Sequence, residues 1–399
     1  MKCIIMNKNK EVMLVEFNKL HNIIDKIYEI YDIKFAPLSI YNAFNNKKAS
    51  LIKGVNNWFK GRGIPSWRKD IENLLNKLNL SSPEELLNKA HGLSLSDQYW
   101  LKEENSKLKW KDINFFTNDF EYEAYLEASL DSSSNKKLKK EILNSPNNTT
   151  DGMLQKGWVI KNGKRCLIKG TYFSSREEPI NEWLASQISK RLRFNYCNYE
   201  LMWDDKLKLV SVCENFITQD EEIISAYDIY NSKRKNNNIN DYEFYLSLLE
   251  EHNVTNARED LENMFIIDYI VMNFDRHLKN FGIIRNVNTL KWEKITPIFD
   301  TGEAMECNKL TEEINFNKGY GKFFSNSNKE FDSILKTLGK NIERIDLTNL
   351  EGISNEYYNI LKQYQDKLDI SDIRINKLVN GLNKRINKLN NYINKLKAE

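Results

Sequence analysis

The chain has 399 residues and a net charge of +3, with 41% apolar, 12% aromatic and 29% charged residues. That length predicts two or three structural units, and the near-balanced charge excludes the global basic footprint of a dedicated nucleic-acid binder. Five cysteines (Cys3, Cys166, Cys197, Cys213, Cys307) and four histidines are scattered without CxxC spacing. This excludes a zinc framework and predicts reduced thiols. The opening MKCIIMNKNKEVM has no sustained apolar core or cleavage site, so it is not a signal peptide. No apolar run approaches the roughly 20 residues of a membrane span. The expectation is a soluble cytoplasmic protein without a membrane partner.

In chain order, Cys3–Met6 and Val12–Phe17 read as strands of a hairpin turning at Asn7–Lys10. The pattern over Leu20–Tyr31 predicts a helix. Gly61-Arg62-Gly63-Ile64-Pro65 is a turn signal. Ser82 before Pro83, followed by Glu84 and Glu85, has the chemistry of a helix start. Residues 131–151 are polar and poor in aromatics, which predicts a linker after an N-terminal α/β region spanning 1–130.

The pattern changes at 152. Trp158–Ile160 and Arg165–Lys169 are strand-like and flank Asn162-Gly163, a strong hairpin signal. A helix is predicted over Pro179–Arg191, then strands near Tyr196–Trp203 and Leu207–Phe216 joined by Asp204-Asp205. Hairpin, helix, strands and a short connector are the order of a kinase small lobe, here 152–217. The remainder, 218–399, reads as a helical large lobe, with a polar loop over 232–241. It ends in a helix whose seam runs Ile375, Val379, Leu382, Ile386, Leu389, Ile393, Leu396. Packing onto the rest of the chain and homodimerisation are both open for that seam.

The chemistry concentrates in Asp275-Arg276-His277-Leu278-Lys279-Asn280 and Phe299-Asp300-Thr301-Gly302. Phosphoryl transfer needs one carboxylate to orient the attacking hydroxyl, and an amide plus a second acid to hold magnesium on the nucleotide. Asp275 suits the first role. Asn280 and Asp300 offer the hard oxygen donors that magnesium prefers. His277 either holds the loop or meets the γ-phosphate; Arg276 either pairs with a loop acid or stays solvated. Upstream, Lys169 ends a strand and Glu182 lies on the next helix, so the pair could bind the α- and β-phosphates. Taken alone, Lys169 reads as an ordinary strand-end lysine; the downstream order of Asp275, Asn280 and Asp300 reverses that reading. Gly152, Gln155 and Lys156 lie in a loop whose amides could cover phosphate oxygens. That loop matches neither GxGxxG nor the Walker pattern, and a plain turn competes. Glu214 and Phe216 would line the adenine edge if Cys213–Ile217 is a hinge.

With Lys169 and Glu182 upstream, the run Asn273–Gly282 and Phe299-Asp300 resembles the active site of HipA-type bacterial serine/threonine kinases, and more distantly that of phosphoinositide 3/4-kinases. The likeness covers about residues 145–398. It implies an α+β, bilobed protein-kinase-like fold with an N-terminal extension. It also implies ATP and Mg2+ as cofactors, and phosphorylation of a protein Ser or Thr. Asp275 would be the catalytic base, Asn280 and Asp300 the metal ligands, and Lys169 the phosphate-binding lysine. Such kinases can autophosphorylate near the phosphate loop, where Ser145, Thr149 and Thr150 stand here. A protein substrate and a regulatory protein are the expected partners.

The phosphate loop departs from the family pattern by one residue between Gly152 and Gln155, and residues 1–130 do not match the N-terminal part of the toxin HipA. Toxin–antitoxin biology therefore does not carry over. Phe299-Asp300-Thr301-Gly302 also spells an aspartic-protease motif, but that chemistry needs two carboxylates sharing a proton, and no second Asp-Thr/Ser-Gly occurs. A lipid or small-molecule kinase and a non-catalytic pseudokinase remain the competing readings. Basic runs at Lys136–Lys140 and Lys233–Lys235 allow phosphate contact, though solvated loops explain them as well.

Overall fold

A computed structural model describes residues 1–46, 50–64, 71–121, 145–149, 156–204, 207–325 and 327–399. The described residues are 42% helical and 21% strand. It forms two compact units. The first comprises Met1–Ile168, Ile217–Ile224 and Arg285–Lys291; the second comprises Lys169–Phe216, Ser225–Ile284 and Trp292–Glu399.

The first unit opens with β1 (Lys2–Asn7), β2 (Lys10–Asn18) and β3 (Ile23–Ile30). Four short helices follow: α1 (Leu38–Asn45), α2 (Leu51–Arg62), α3 (Ile71–Leu78) and α4 (Pro83–Lys89). Then come β4 (Tyr99–Glu103) and α5 (Trp110–Ile113). The sheet order is β3-β2-β1-β4. Both faces are covered. Cys3, Ile5, Val15 and Phe17 pack with Ile40, Val55 and Phe59 of the helices, while Ile4, Met6 and Leu14 pack with Leu93, Trp100, Trp110 and Phe115. The alternation of period two in β1 and β2 thus feeds two cores.

The helix expected over Leu20–Tyr31 is instead strand β3. Its apolar residues Ile24, Ile27 and Ile30 are three apart, a spacing that imitates a helical face. Yet they pair with Phe17, Val15 and Met13, which are two apart. Register shifts at Leu14/Val15 and Glu16/Phe17 absorb the difference. Each bulge puts one extra residue, Tyr28 or Asp25, into β3 and so keeps Ile24, Ile27 and Ile30 on the same face.

The predicted hairpin closes with Asn7 opposite Lys10. Further on, β5 (Lys156–Lys161) and β6 (Lys164–Lys169) are joined by Asn162 at φ 52° and Gly163 at φ 74°. Two consecutive left-handed residues are what a type I′ turn requires.

In the second unit the long helix α6 (Glu178–Arg191) precedes the antiparallel pair β7 (Tyr199–Asp204) and β8 (Lys208–Glu214). The chain passes through β9 (Glu221–Ser225), which belongs to the first unit up to Ile224, and continues with α7 (Ala226–Tyr230), α8 (Asp241–Glu251) and α9 (Ala257–Val271). Helix α9 is buried over most of its length: every residue from Leu261 to Val271 is buried, which marks it as a core helix. After it come β10 (Gly282–Asn286), β11 (Trp292–Ile295), β12 (Tyr320–Lys322), β13 (Asn328–Glu330) and α10 (Phe331–Leu338). The chain ends in α11 (Ile353–Leu368) and α12 (Asp372–Ala398).

Helix α12 buries Ile375, Leu378, Leu382, Arg385, Leu389 and Ile393. The stripe matches the predicted seam except at Leu396, which is only half-buried, and at Val379 and Ile386, where Leu378 and Arg385 take the inward place. Buried Arg385 lies 3.8 Å from the Tyr269 ring centroid and donates to the Tyr269 carbonyl at 3.1 and 3.0 Å. Gly381 lies close against Phe316, since a Cβ there would sit 2.1 Å from the Phe316 ring.

Candidate active site

Lys169 is the last residue of β6, and its ammonium is buried. It donates to Glu182 Oε1 at 2.7 Å, to Asp300 Oδ1 at 3.0 Å and to the Tyr199 hydroxyl at 3.3 Å. Glu182 comes from the middle of α6, and its second oxygen accepts a hydrogen bond from Ser211 of β8. Burial by itself disfavours the charged lysine, but Asp300 and Glu182 outweigh it and hold Lys169 well above the ordinary lysine range. Burial raises the Glu182 carboxyl, while Lys169 and Ser211 oppose the rise. An ammonium shared by two carboxylates is thus kept charged out of water.

Asp300 is held in place by its backbone. Its φ is 57°, in the left-handed region that a non-glycine residue adopts only when its surroundings impose it. Asn181, one residue before Glu182, donates to the carbonyls of Gly302 and Ala304 at 3.0 and 2.9 Å. Gly302 permits this approach, because a Cβ there would meet Glu178 at 3.3 Å. One helix therefore carries both the acid that pairs Lys169 and the amide that anchors the Asp300 loop.

Helix α9 ends where Met272 turns to φ 54° and its amide bonds to the Asp268 carbonyl. The chain then runs Asn273–Asn280 as an irregular loop. Asp268 accepts from Asn273 at 2.8 Å and from Arg276 twice at 2.9 Å. Arg276 is 1% exposed. It is neither solvated nor paired with a loop acid, as the sequence reading allowed; its partner is the helix acid Asp268, which carried no motif. The same guanidinium donates to the carbonyls of Asn280 and Phe299, both at 2.6 Å. It thereby ties the end of the loop to the residue preceding Asp300. Asn280 donates from Nδ2 to the Asp275 carbonyl at 3.0 Å, which leaves its amide oxygen for a ligand.

His277 Nε2 lies 3.6 Å from Asp275 Oδ2, and Nδ1 accepts from the Lys279 amide at 3.2 Å. Burial lowers the His277 pKa, against the pull of Asp275. The imidazole therefore helps to hold the loop.

Two residues that sequence reading missed stand here. Lys322, at the end of β12, donates to Asp275 Oδ1. Glu303 is pushed up to about 7 by burial and by the charges of Asp275 and Asp300. The signal for Lys322 is the run Gly319-Tyr320-Gly321-Lys322. A Cβ on Gly319 would sit 2.6 Å from Met272, and one on Gly321 2.9 Å from the Asn273 carbonyl. Only glycine lets this strand lie against the loop.

Of the other candidates, Glu214 ends β8 and is exposed, and the Phe216 ring lies 5.7 Å from that of Phe299. Lys156 opens β5 in the first unit. Gly152, Gln155 and Thr150 lie outside the described residues. Ser145 is buried and accepts from Asn147; the Thr149 hydroxyl donates to the Leu93 carbonyl at 2.8 Å. Asp300 shares its carboxylate with a lysine, which is not the proton-sharing acid pair of a protease. Among the described residues, no helix is long and apolar enough to cross a membrane, and no group of three or more His, Cys, Asp or Glu residues could hold a metal ion.

A family model described as the HipA-like C-terminal domain matches residues 137–363. The serine/threonine-protein kinase CtkA of Helicobacter pylori (strain J99 / ATCC 700824) is 28% identical over 132 residues, 32% of this chain and 40% of that protein. The match thus spans less than half the length of that relative. The crystal structure of the Helicobacter pylori proinflammatory kinase CtkA aligns at a TM-score of 0.46 and 20% identity, over 61% of this chain and 95% of that one. A chain of the Shewanella oneidensis MR-1 toxin–antitoxin complex of HipA, HipB and operator DNA aligns at a TM-score of 0.50 and 12% identity, over 100% of this chain and 99% of that one. The alignment at 0.50 shows the fold, which is the kinase-like one of HipA. With more than half of its residues inside the family match, the chain belongs to the HipA-like C-terminal domain family.

Proposed function

We propose that the chain is an ATP-dependent kinase that transfers the γ-phosphate to a Ser or Thr hydroxyl of a protein. The observation that carries this reading is Lys169 shared between Glu182 and Asp300, with Arg276 tying Phe299, beside Asp300, to the Asp275–Asn280 loop. Lys169 would bind the α- and β-phosphates, with Glu182 fixing its position. Asp275 would accept the proton of the attacking hydroxyl. Asn280 and Asp300 would hold magnesium: an amide oxygen and a carboxylate suit a hard cation that draws most of its remaining ligands from phosphate and water. When bound, that ion neutralises charge on the phosphates. Glu214 and Phe216 would border the adenine.

The acceptor is tested by trapping. The Asp275→Asn variant, incubated with lysate and ATP, is expected to retain a protein whose phosphorylated form, made by the wild type, carries phosphoserine or phosphothreonine. Label appearing only in lipid or small molecules would contradict the protein-kinase reading and favour the competing one.

A further inference from the structure

Lys322, like Lys169, bonds an acid proposed for the chemistry. Its Nζ donates to Asp275 Oδ1, and the two side chains are 28% and 23% exposed, so both are partly open to solvent. The contact is built in by the fold: Gly319 and Gly321 press β12 onto Met272, Asn273 and Phe331, and β13 pairs with it, Lys322 opposite Asn328. The second carboxylate oxygen of Asp275 lies on the His277 side.

We propose that Lys322 is a further catalytic residue, whose ammonium contacts the phosphoryl group in flight while it bonds Asp275. This rests on the kinase reading above. In the step, the acceptor oxygen forms a bond to Pγ as the bond from Pγ to the β–γ bridging oxygen breaks. The hydroxyl proton passes to Asp275 Oδ2, and ADP leaves. Negative charge is spread over the three equatorial oxygens of the transferring group. A cation on the carboxylate that holds the attacking hydroxyl lies within side-chain reach of those oxygens. It is preorganised, partly desolvated, and costs no rearrangement at the moment of reaction. Lys169 cannot serve this role as well, because Glu182 and Asp300 hold it at the position assigned to the α- and β-phosphates.

The test is equilibrium binding of Mg–ADP, with and without aluminium fluoride as a mimic of the transferring phosphoryl group, to wild type, Lys322→Met and Lys322→Arg. Loss of a donor felt only at the transferred group should weaken the fluoride complex by about 100-fold and leave Mg–ADP within about twofold. Lys322→Arg should recover part of the loss, and all three should melt together. Equal binding of the fluoride complex by wild type and a folded Lys322→Met overturns the assignment while the kinase reading stands. Tighter binding by Lys322→Met also overturns it, by making Lys322 a plug. A wild type that binds neither complex overturns the kinase reading, and the proposal with it.

Discussion

Asp268 and Arg276 face each other through two parallel hydrogen bonds of 2.9 Å, and both are almost fully buried. The remaining arm of the guanidinium reaches the carbonyls of Asn280 and Phe299. A single buried cation thus fixes two segments, at Asn280 and Phe299, that are nineteen residues apart in the chain. Removing one partner of such a pair leaves an uncompensated buried charge, at a cost of about 3–5 kcal/mol. Asp268→Ala is therefore expected to lower the urea midpoint sharply and to cut activity, although Asp268 touches no substrate. A midpoint equal to that of the wild type would show that the pair does not hold the loop.

At Lys169 the same logic gives an asymmetric expectation. Lys169→Met strands Glu182 beside Asp300 without a cation, so nucleotide affinity should fall by orders of magnitude and stability should fall with it. Glu182→Gln keeps the shape and a hydrogen-bond acceptor, so its folded state should suffer less. Isothermal titration with Mg–ATP and thermal melts of both variants check the ranking.

Glu303 predicts a pH dependence. Its folded pKa is raised from 4.5 to about 7. Between those values the folded chain holds a proton that the unfolded chain has lost, so this group makes stability fall as pH rises through that window. In Glu303→Gln that slope should be missing. Urea midpoints of wild type and variant at pH 5 and pH 8 measure it: the variant should lose less stability between the two.

The contact between Gly381 and Phe316 is tested by a pair of substitutions. With a Cβ 2.1 Å from the ring, Gly381→Ala must push α12 away or displace Phe316, an overpacking cost of about 1–3 kcal/mol. Adding Phe316→Ala should recover part of that loss, so the double variant should be more stable than the sum of the two single changes allows.

Part of the candidate site's arrangement was legible in the sequence because its spacing is local. Asp275 and Asn280 sit on one loop, and Asn162-Gly163 dictates its turn wherever it occurs. Lys169, Glu182 and Asp300 were legible by chain order, and their side chains do meet. The rest depends on tertiary partners. Asp268 reads as one polar residue in an apolar helix until Arg276 folds back on it. Lys322 lies 47 residues from Asp275, with only two glycines to announce the approach. Strand β3 was misread because its bulges turn a three-residue spacing into a single face, and a bulge is written in the pairing with β2 and not in β3 alone. Leu378 and Arg385 replaced Val379 and Ile386 in α12 because the surroundings, Phe316 and Tyr269 among them, set which side of the helix is inward.

The central claim is tested most directly by transfer of label from γ-labelled ATP in the presence of magnesium. Wild type should place phosphate on serine or threonine of itself or of an added protein, and folded Asp275→Ala and Asp300→Ala should lose at least about 100-fold in rate. No transfer by the wild type to any acceptor, or transfer by both variants at the wild-type rate, would contradict the account.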